Sequence, residues 1–470
     1  AGYASRSNSM NFNQLYEGTI DYVGSWSGHT LAAVVGFSYQ NFFYDGANMS
    51  NKGFPTDSYK YYSMSDGLTD KSKLTVGSYR GSNVLAAGFA RVNYNYDEKY
   101  LLSASLRAEG SSRFGENNKW GYFPAVSAGW RISGEEWMFD QDWCNDLKVR
   151  AGFGITGNNL GSDLKSKQLL TKGGTFWYQN QWVDTYAVMQ NENPDLRWEK
   201  KYEYNFGIDF SFLKNRLSGN IDLYYRDTKD LLNSVQVPMG ATFGNKLMTN
   251  VGSIRNKGLE FSIESRNILK KNFSWTTNFT LAHNTQLVED IGTEDFVVTY
   301  KGEKDYMMYG YVKGYPLNAV WGFQYGGVWK SPQEIEENKI TKQYGDFYSE
   351  TKAGRPRYVD QNHDGVINSD DLVFLGDADP ILYGGLQNSF NIYGVNVNLY
   401  FTYSLGGKIY NYSEFFMTGS YCTNQYRYME DRWHPLRNPN SDIPAAGGTG
   451  YSMLPSSFMV HDSSYLRFKN

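Results

Sequence analysis

The stretch of sequence that decides the fold is "YEYNFGIDFSF", from Tyr202 to Phe212. Successive side chains of a β-strand point to opposite faces, so an alternation of apolar and polar residues indicates a strand with one apolar and one polar face. The alternation here is unbroken. The apolar face carries Tyr202, Tyr204, Phe206, Ile208, Phe210 and Phe212, and the other face carries Glu203, Asn205, Gly207, Asp209 and Ser211.

The same period recurs in "FSWTTNFTLA", from Phe273 to Ala282, and in "NVNLYFTYSL", from Asn396 to Leu405. Runs of about 10 residues have the length that a tilted strand needs to cross the hydrocarbon of a bilayer. Strands of soluble sandwiches usually run about five or six residues. Outward-facing aromatic rings without a second sheet would also leave a large apolar surface in water. The pattern therefore favours an all-β transmembrane barrel of antiparallel, up-and-down strands.

The connections alternate between short and long, which is the asymmetry of outer-membrane barrels with short periplasmic turns and long extracellular loops. Counting in this way predicts about thirteen strands. We place a medium-length connection, Ser133 to Asp146, on the periplasmic side. The predicted short turns are at Gly28, Tyr96–Lys99, Leu213–Arg216, Asn267–Lys271 and Tyr393–Val395. The predicted long loops are Asn41–Asn83, Gly157–Lys200, Asp227–Arg255, Asn284–Pro380 and Gly406–Ser463.

The composition argues against a nucleic-acid-binding protein and against transmembrane helices. The 470 residues carry 45 basic and 49 acidic side chains, a formal net charge of -4, which gives no electrostatic case for nucleic acid. The mean hydropathy is -0.57, and no apolar run is long enough for a transmembrane helix. A barrel wall averages out as polar because its two faces alternate. Cys144 and Cys422, the two cysteines, are far apart and are predicted to stay unpaired on opposite sides of the membrane.

"DQNHDGVINSDD", from Asp360 to Asp371, has the spacing of a calcium loop of the EF-hand type. Oxygen-bearing side chains occupy positions 1, 3, 5, 9 and 12 of the loop, glycine occupies position 6, and the position-7 ligand is a backbone carbonyl. Asp at position 12 reaches less far than the usual Glu. A solvated turn rich in Asn and Asp is the alternative. The predicted structural Ca²⁺ ligands are Asp360, Asn362, Asp364, Val366, Asn368 and Asp371.

Two aromatic clusters fall in predicted outer loops. Flat rings stack on sugar faces, and neighbouring amides bind hydroxyl groups, so these clusters are candidates for substrate binding. Packing of loop on loop, or against a partner protein, is the alternative. The candidate substrate-binding residues are Trp177, Tyr178, Trp182, Trp321, Tyr325 and Trp329.

No catalytic residues are predicted. The stretch "GFGITG", with Gly152, Gly154 and Gly157, matches a dinucleotide fingerprint formally, but a loop-like sequence follows it instead of a helix. We interpret its glycines as part of a barrel strand. The five histidines do not have the spacing of a zinc site. No serine lies in a nucleophile motif of the GxSxG type.

Several long motifs, in order along the whole chain, resemble the barrel of the SusC/RagA family of TonB-linked outer-membrane transporters. They include "RAEGSSRFGENNKWGYFPAVSAGWRIS" (Arg107–Ser133), "LKVRAGFGITGNN" (Leu147–Asn159), "NPDLRWEKKYEYNFGIDF" (Asn193–Phe210), "NVGSIRNKGLEFSI" (Asn250–Ile263), the segment Val359–Asn411, and "SSYLRFKN" (Ser463–Asn470).

The resemblance implies a barrel of about 22 strands with an N-terminal plug, of which residues 1–470 supply only part. The plug, the TonB-contacting segment, the first strands and the closing strands are then expected outside this sequence. The implied location is the outer membrane of a Gram-negative cell. The implied partners are TonB and a SusD-like surface lipoprotein that covers the extracellular mouth. The implied activity is active import of oligosaccharides or peptides, and the calcium loop would brace an extracellular loop.

Two other classes remain open from the residues alone. A secreted, calcium-stabilised β-rich adhesin or carbohydrate-binding module would use the same aromatic residues and the same metal loop. An enzyme built in a barrel would need a serine, a histidine and an acid brought together from distant parts of the sequence.

Overall fold

The structure is a computed structural model. It describes residues 2–67, 74–159, 163–237, 246–292, 296–301, 307–340, 342–343, 352–417, 424–446 and 453–470. Contacts between Cα atoms divide the chain into two compact units. The first unit comprises residues 1–136, 148–204 and 228–251, and the second comprises residues 137–147, 205–227 and 252–470. No helix in the described part of the chain is long and apolar enough to cross a membrane.

The described residues form 27 strands and two short α-helices. In chain order the strands are β1 Gly2–Trp26, β2 His29–Phe54, β3 Thr75–Tyr96, β4 Tyr100–Ser111, β5 Trp120–Arg131, β6 Cys144–Asn158, β7 Leu169–Tyr178, β8 Gln181–Gln190, β9 Glu199–Phe212, β10 Leu217–Lys229, β11 Leu232–Gln236, β12 Lys246–Asn250, β13 Ser253–Lys270, β14 Phe273–Asp290, β15 Phe296–Lys301, β16 Met307–Val312, β17 Ala319–Phe323, β18 Tyr325–Val328, β19 Lys342–Gln343, β20 Pro356–Tyr358, β21 Val366–Ile367, β22 Leu372–Asp377, β23 Leu382–Ile392, β24 Val395–Leu405, β25 Lys408–Tyr410, β26 Val460–Asp462 and β27 Tyr465–Phe468. The helices are α1 Pro332–Glu337 and α2 Tyr412–Met417.

Thirteen strands form one sheet in the order β1-β2-β3-β4-β5-β6-β9-β10-β13-β14-β23-β24-β27. The pairs with a resolved register are antiparallel, as in β1–β2, β13–β14 and β23–β24. Both the predicted number of strands and the antiparallel, meandering order are therefore confirmed. Gly152, Gly154 and Gly157 lie within β6, so the formal dinucleotide fingerprint is part of a strand.

The short turns lie where the sequence predicts them, with one exception. The β1–β2 turn has Ser27 and Gly28 at φ 43° and 83°, and the β3–β4 turn has Asp97 and Glu98 at φ 51° and 56°. Positive φ at both central residues is the geometry that fits the twist of a hairpin. The exception is the turn expected from Asn267 onward: β13 continues through a bulge to Lys270.

The predicted long loop from Asn41 to Asn83 is wrong in its bounds. Strands β2 and β3 stay paired as far as Ser50 opposite Thr75. Strand β2 has 26 residues, whereas about 9–11 residues cross the hydrocarbon. Much of the segment predicted to be a loop is therefore β-strand, which continues beyond the length needed to cross the membrane.

A row of aromatic residues runs across five strands next to the short turns. The register places Trp26 opposite His29, His29 opposite Tyr96, Tyr96 opposite Tyr100, and Tyr100 opposite Trp130. The centroids of the His29 and Tyr96 rings are 4.6 Å apart. Trp and Tyr collect at the level of the lipid headgroups in membrane proteins, because their rings are apolar and their N–H or O–H groups are polar. This row is the expected girdle at one membrane surface.

At the other end of the strands, the long connections contain small sheets of their own. They are β7–β8, β11–β12, β15-β16-β17-β22, β18–β20, β19–β21 and β25–β26. Three clusters of buried apolar residues also lie in or next to these connections. One cluster, in the first unit, contains Phe114, Phe123, Leu196 and Trp198. The other two, in the second unit, are built on Trp329 and on Met459.

Candidate functional site in the long connections

The β7–β8 hairpin presents the first predicted aromatic cluster at its tip. Trp177 pairs with Trp182 across the hairpin, and their rings meet edge to face with centroids 5.3 Å apart. The turn between the strands has Gln179 and Asn180 at φ 48° and 65°. Trp177, Tyr178 and Trp182 are 50%, 55% and 68% exposed. The first predicted cluster therefore has open ring faces and amide side chains beside them.

The second predicted cluster is mostly buried, unlike the first. Trp321 and Trp329 are only 7% and 1% exposed. Trp329 packs in a core with Phe323, Tyr358, Ile367 and Leu454. The structure does not agree with the prediction that these two tryptophans contact substrate, because segments of the long connections pack on one another and cover both rings.

Tyr325, the third member of that cluster, is half-buried. Its hydroxyl donates a hydrogen bond to the backbone carbonyl of Asp442 at 2.6 Å. Its ring contacts Tyr358 and Phe458 edge to face. The residue thus ties three segments of the long connections together.

The backbone of the loop Asp360–Asp371 turns at its glycine. Gly365, at position 6, has φ 80°, a value that favours glycine. Ile367, at position 8, is 1% exposed and joins the core around Trp329. His363 is exposed.

The carboxylates of this loop accept hydrogen bonds from the loop's own backbone. Asp360 accepts from the N–H groups of His363 and Gly365 at 2.7 and 2.8 Å. Asp371 is fully buried and accepts from Gln361 and Asn368, each at 2.8 Å. In the described residues, no group of three His, Cys, Asp or Glu side chains gathers where it could hold a metal ion. Asp360, Asp364 and Asp371, the carboxylates at the proposed ligand positions, therefore do not form such a group.

A buried carboxylate that the sequence does not reveal links α2 to two other segments. Glu414 is 5% exposed. It accepts a hydrogen bond from the hydroxyl of Tyr428 at 2.8 Å, and its other oxygen lies 2.6 Å from Nε2 of His461. Burial, followed by the hydrogen bond to Glu414, raises the pKa of Tyr428 well above its ordinary value. No local motif identifies this cluster, because its members are far apart in the sequence.

The exposed rings of Trp177, Tyr178 and Trp182 are available for binding, and comparison with known proteins shows the family to which the chain belongs. A family model described as "TonB dependent receptor-like, beta-barrel" matches residues 1–411. The chain belongs to this family of TonB-dependent receptors. Proteins of the family are outer-membrane transporters and not enzymes, and the predicted location in the outer membrane is confirmed.

The similar curated proteins are also TonB-dependent receptors. TonB-dependent receptor P26 of Formosa agariphila is 31% identical over 96% of this chain and 45% of its own length. TonB-dependent receptor SusC of Bacteroides thetaiotaomicron is 29% identical over 98% of this chain and 44% of its own length. The chain thus spans less than half the length of these relatives. The predicted SusC/RagA-like family is confirmed.

The solved structures show the same fold. The structure described as the RagAB peptide transporter matches 99% of this chain and 49% of its own chain, with a TM-score of 0.81 and 23% identity. The RagAB peptide importer in its "closed-closed" state matches with a TM-score of 0.79 and 24% identity. In barrels of this type the long connections lie outside the cell and the short turns face the periplasm. The aromatic hairpin therefore belongs to the extracellular side.

Proposed function

We propose that this chain is the barrel portion of a SusC-like, TonB-dependent importer that takes up oligosaccharides or other oligomeric nutrients. The observation that supports the proposal most strongly is the match to the family of TonB-dependent receptors over residues 1–411. The long connections with exposed aromatic rings lie at the end of the strands that faces outward in this family. The chain binds and passes its substrate without making or breaking a bond.

The exposed hairpin supports an oligosaccharide as substrate. Trp177, Tyr178 and Trp182 offer flat apolar faces, and Gln179, Asn180 and Gln181 beside them offer amide donors and acceptors. Sugars present an apolar face of C–H groups ringed by hydroxyl groups, and this combination of side chains matches it. A peptide would use the same rings with less dependence on their flatness. The name of the RagAB neighbours describes a peptide transporter, but at 23–24% identity they inform only the fold.

A SusD-like surface lipoprotein is the proposed partner. It would cover the extracellular mouth and contact the long connections. Exposed aromatic side chains on a protruding hairpin are typical anchors for such a contact, because they bury a large apolar area with few rotatable bonds. Coupling to TonB would run through a segment outside residues 1–470.

We further propose that the loop Asp360–Asp371 binds a structural calcium ion. The carboxylate oxygens already accept backbone N–H groups, but each carboxylate oxygen has a second lone pair that can face a cation. Bound calcium would cross-link the long connection and would take no part in any chemistry on the substrate.

The direct test of the import function uses the intact organism and the full-length protein. A strain lacking the protein is compared with its parent for growth on single oligosaccharides and on peptide mixtures. The proposal predicts loss of growth on one class of oligomer, while growth on the corresponding monomer is unchanged. The same loss should follow deletion of TonB. Unimpaired growth on every oligomer that the parent uses would contradict the proposal.

A further inference from the structure

A shallow cavity lies at the short-turn end of the second unit, away from the long connections. Its volume is about 680 Å³, within the range of about 300–1,000 Å³ that small-molecule sites occupy. The turn between β9 and β10 forms one wall, the end of β13 forms another, and the segment before β6 forms a third. The lining residues are Asp142, Trp143, Leu213, Lys214, Arg216, Leu217, Ser265, Arg266 and Asn267.

The strand register places part of the lining on the apolar face of β13, whereas Arg266, which pairs with Thr276, lies on the other face. Ser265 lies opposite Thr277, and Thr277 shares its face of β14 with Phe279. The ring of Trp143 contacts Phe212, the last aromatic residue on the apolar face of β9, with centroids 5.3 Å apart. Trp143 is 49% exposed, as an aromatic anchor at a membrane surface would be. The cavity thus opens where the apolar face of the strands reaches the periplasmic headgroup level.

The charge of the cavity is positive. The guanidinium of Arg216 donates through Nε to the carbonyl of Arg266 at 3.2 Å and through Nη2 to the carbonyl of Asn267 at 2.6 Å. Carbonyl groups are neutral acceptors, so these bonds position the guanidinium and leave its charge uncompensated. Lys214 is exposed in the adjacent turn. Asp142 is the one acidic residue of the lining.

The side chain of Arg266 contributes less positive charge to the cavity than Lys214 and Arg216 do. Its Nε donates to Glu264 at 3.0 Å, so its charge is largely balanced by that carboxylate. The two cations that remain for a ligand are Lys214 and Arg216. They sit beside the apolar side chains of Leu213, Leu217 and Trp143. A site with a cationic part and an apolar part at a membrane surface matches an amphipathic anion.

We propose that this cavity binds an anionic phospholipid of the periplasmic leaflet, with the phosphate at Lys214 and Arg216 and the acyl chains along Leu217 and the strands. A guanidinium held in place by carbonyl groups is pre-organised for phosphate, and the exposed lysine adds a second charge. Basic pockets at the cytoplasmic or matrix side of membrane proteins bind lipid headgroups by the same physics. The proposal rests on the location in the outer membrane and not on import, so either can fail without the other.

Native mass spectrometry of the full-length protein released from detergent micelles tests the proposal. The probe is dioctanoyl phosphatidylglycerol, added in steps, and the readout is the number and occupancy of bound lipids. The double variant Lys214→Gln/Arg216→Gln should lose one binding step, with its affinity lower by about tenfold or more. The control is Lys271→Gln, which removes an exposed lysine from the neighbouring β13–β14 turn, outside the cavity.

Two further measurements show whether a loss of binding reflects the charge and the apolar part of the site. Lys214→Gln alone leaves the Arg216 hydrogen bonds intact, so it separates loss of charge from loss of structure, and it should show part of the same decrease. Inorganic phosphate in large excess should not displace the lipid, because it cannot use the apolar part of the site. Equal binding by the double variant and the Lys271 control would overturn the proposal, and so would complete displacement by phosphate.

Discussion

Tyr100 and Trp130 lie directly opposite each other on β4 and β5, and both donate a hydrogen bond to the same oxygen of Glu135. The Tyr100 hydroxyl is 2.7 Å from Oε1, and the Trp130 indole nitrogen is 2.9 Å from it. Glu135 lies in the connection that leads from β5 toward β6. One carboxylate therefore fixes the polar ends of two neighbouring girdle residues, and their apolar rings stay in the headgroup layer.

We predict that Glu135→Gln loosens this end of the sheet. Hydrogen bonds from Tyr100, then from Trp130, hold the pKa of Glu135 below its ordinary value. A carboxyl group with a lowered folded-state pKa stabilises the fold above its unfolded-state pKa, and this contribution is lost as pH falls through the folded-state pKa. The variant should unfold at a lower temperature than the parent at pH 7. The difference should shrink as the pH is lowered into the acid range, when thermal unfolding is followed in detergent by circular dichroism. A difference that grows in acid would contradict this assignment.

Phe206→Arg should destabilise the protein by about 2–4 kcal/mol if the residue faces lipid near the bilayer midplane. Phe206 is 43% exposed on the isolated chain, on the apolar face of β9. Asn205→Arg, at the next position and on the opposite face, is the matched control and should have a mild effect. Equilibrium unfolding of the full-length protein in lipid vesicles measures both. Equal costs for the two variants would mean that the faces of β9 do not separate lipid from water.

The calcium proposal gives a proteolysis experiment. Asp360→Ala combined with Asp364→Ala should expose the segment from Gly354 to Leu375 to protease, and a calcium chelator should have the same effect on the parent protein. Asp370→Ala is the control, because Asp370 lies in the same loop outside the proposed ligand positions. If protection of the parent is the same with and without chelator, the loop is held by its own Asp-to-backbone hydrogen bonds and the metal is not needed.

Substitution of the hairpin tryptophans tests the substrate site. Trp177→Ala combined with Trp182→Ala should weaken binding of the transported oligomer by about tenfold or more, because aromatic anchors carry a large share of binding energy. Thr175→Ala, an exposed change on the same hairpin, is the control. Calorimetry on the purified full-length protein, with and without the proposed lipoprotein partner, separates substrate binding from partner binding. Loss of partner binding alone would assign the hairpin to the lipoprotein contact.

The strands could be predicted from the sequence because a membrane enforces the alternation. Where every second side chain meets hydrocarbon, as from Tyr202 to Phe212, the pattern is strict. Beyond the bilayer both faces of a strand meet water, so the alternation ends although the hydrogen-bonded pairing continues. For this reason the sequence predicts a loop from Asn41, whereas β2 remains a strand as far as Phe54.

The packing of the long connections could not be predicted in the same way. Trp329 and the tryptophans of the hairpin occur in similar aromatic stretches, yet the first is buried and the others are exposed. The difference depends on which distant segments meet. The hydroxyl of Tyr358 accepts a hydrogen bond from the backbone N–H of Leu454, for example, and no local pattern encodes a contact across that separation.

The central claim is that every second side chain of these strands faces lipid. A nitroxide scan tests it most directly, with one spin label at a time from Tyr202 to Phe212 in the full-length protein without its native cysteines, reconstituted in lipid vesicles. The accessibility of each label to oxygen, which dissolves in the hydrocarbon, is compared with its accessibility to a water-soluble nickel reagent. Oxygen accessibility should peak at residues 204, 206, 208 and 210 and fall at the positions between them. A flat profile, or maxima at 205, 207 and 209, would contradict the account.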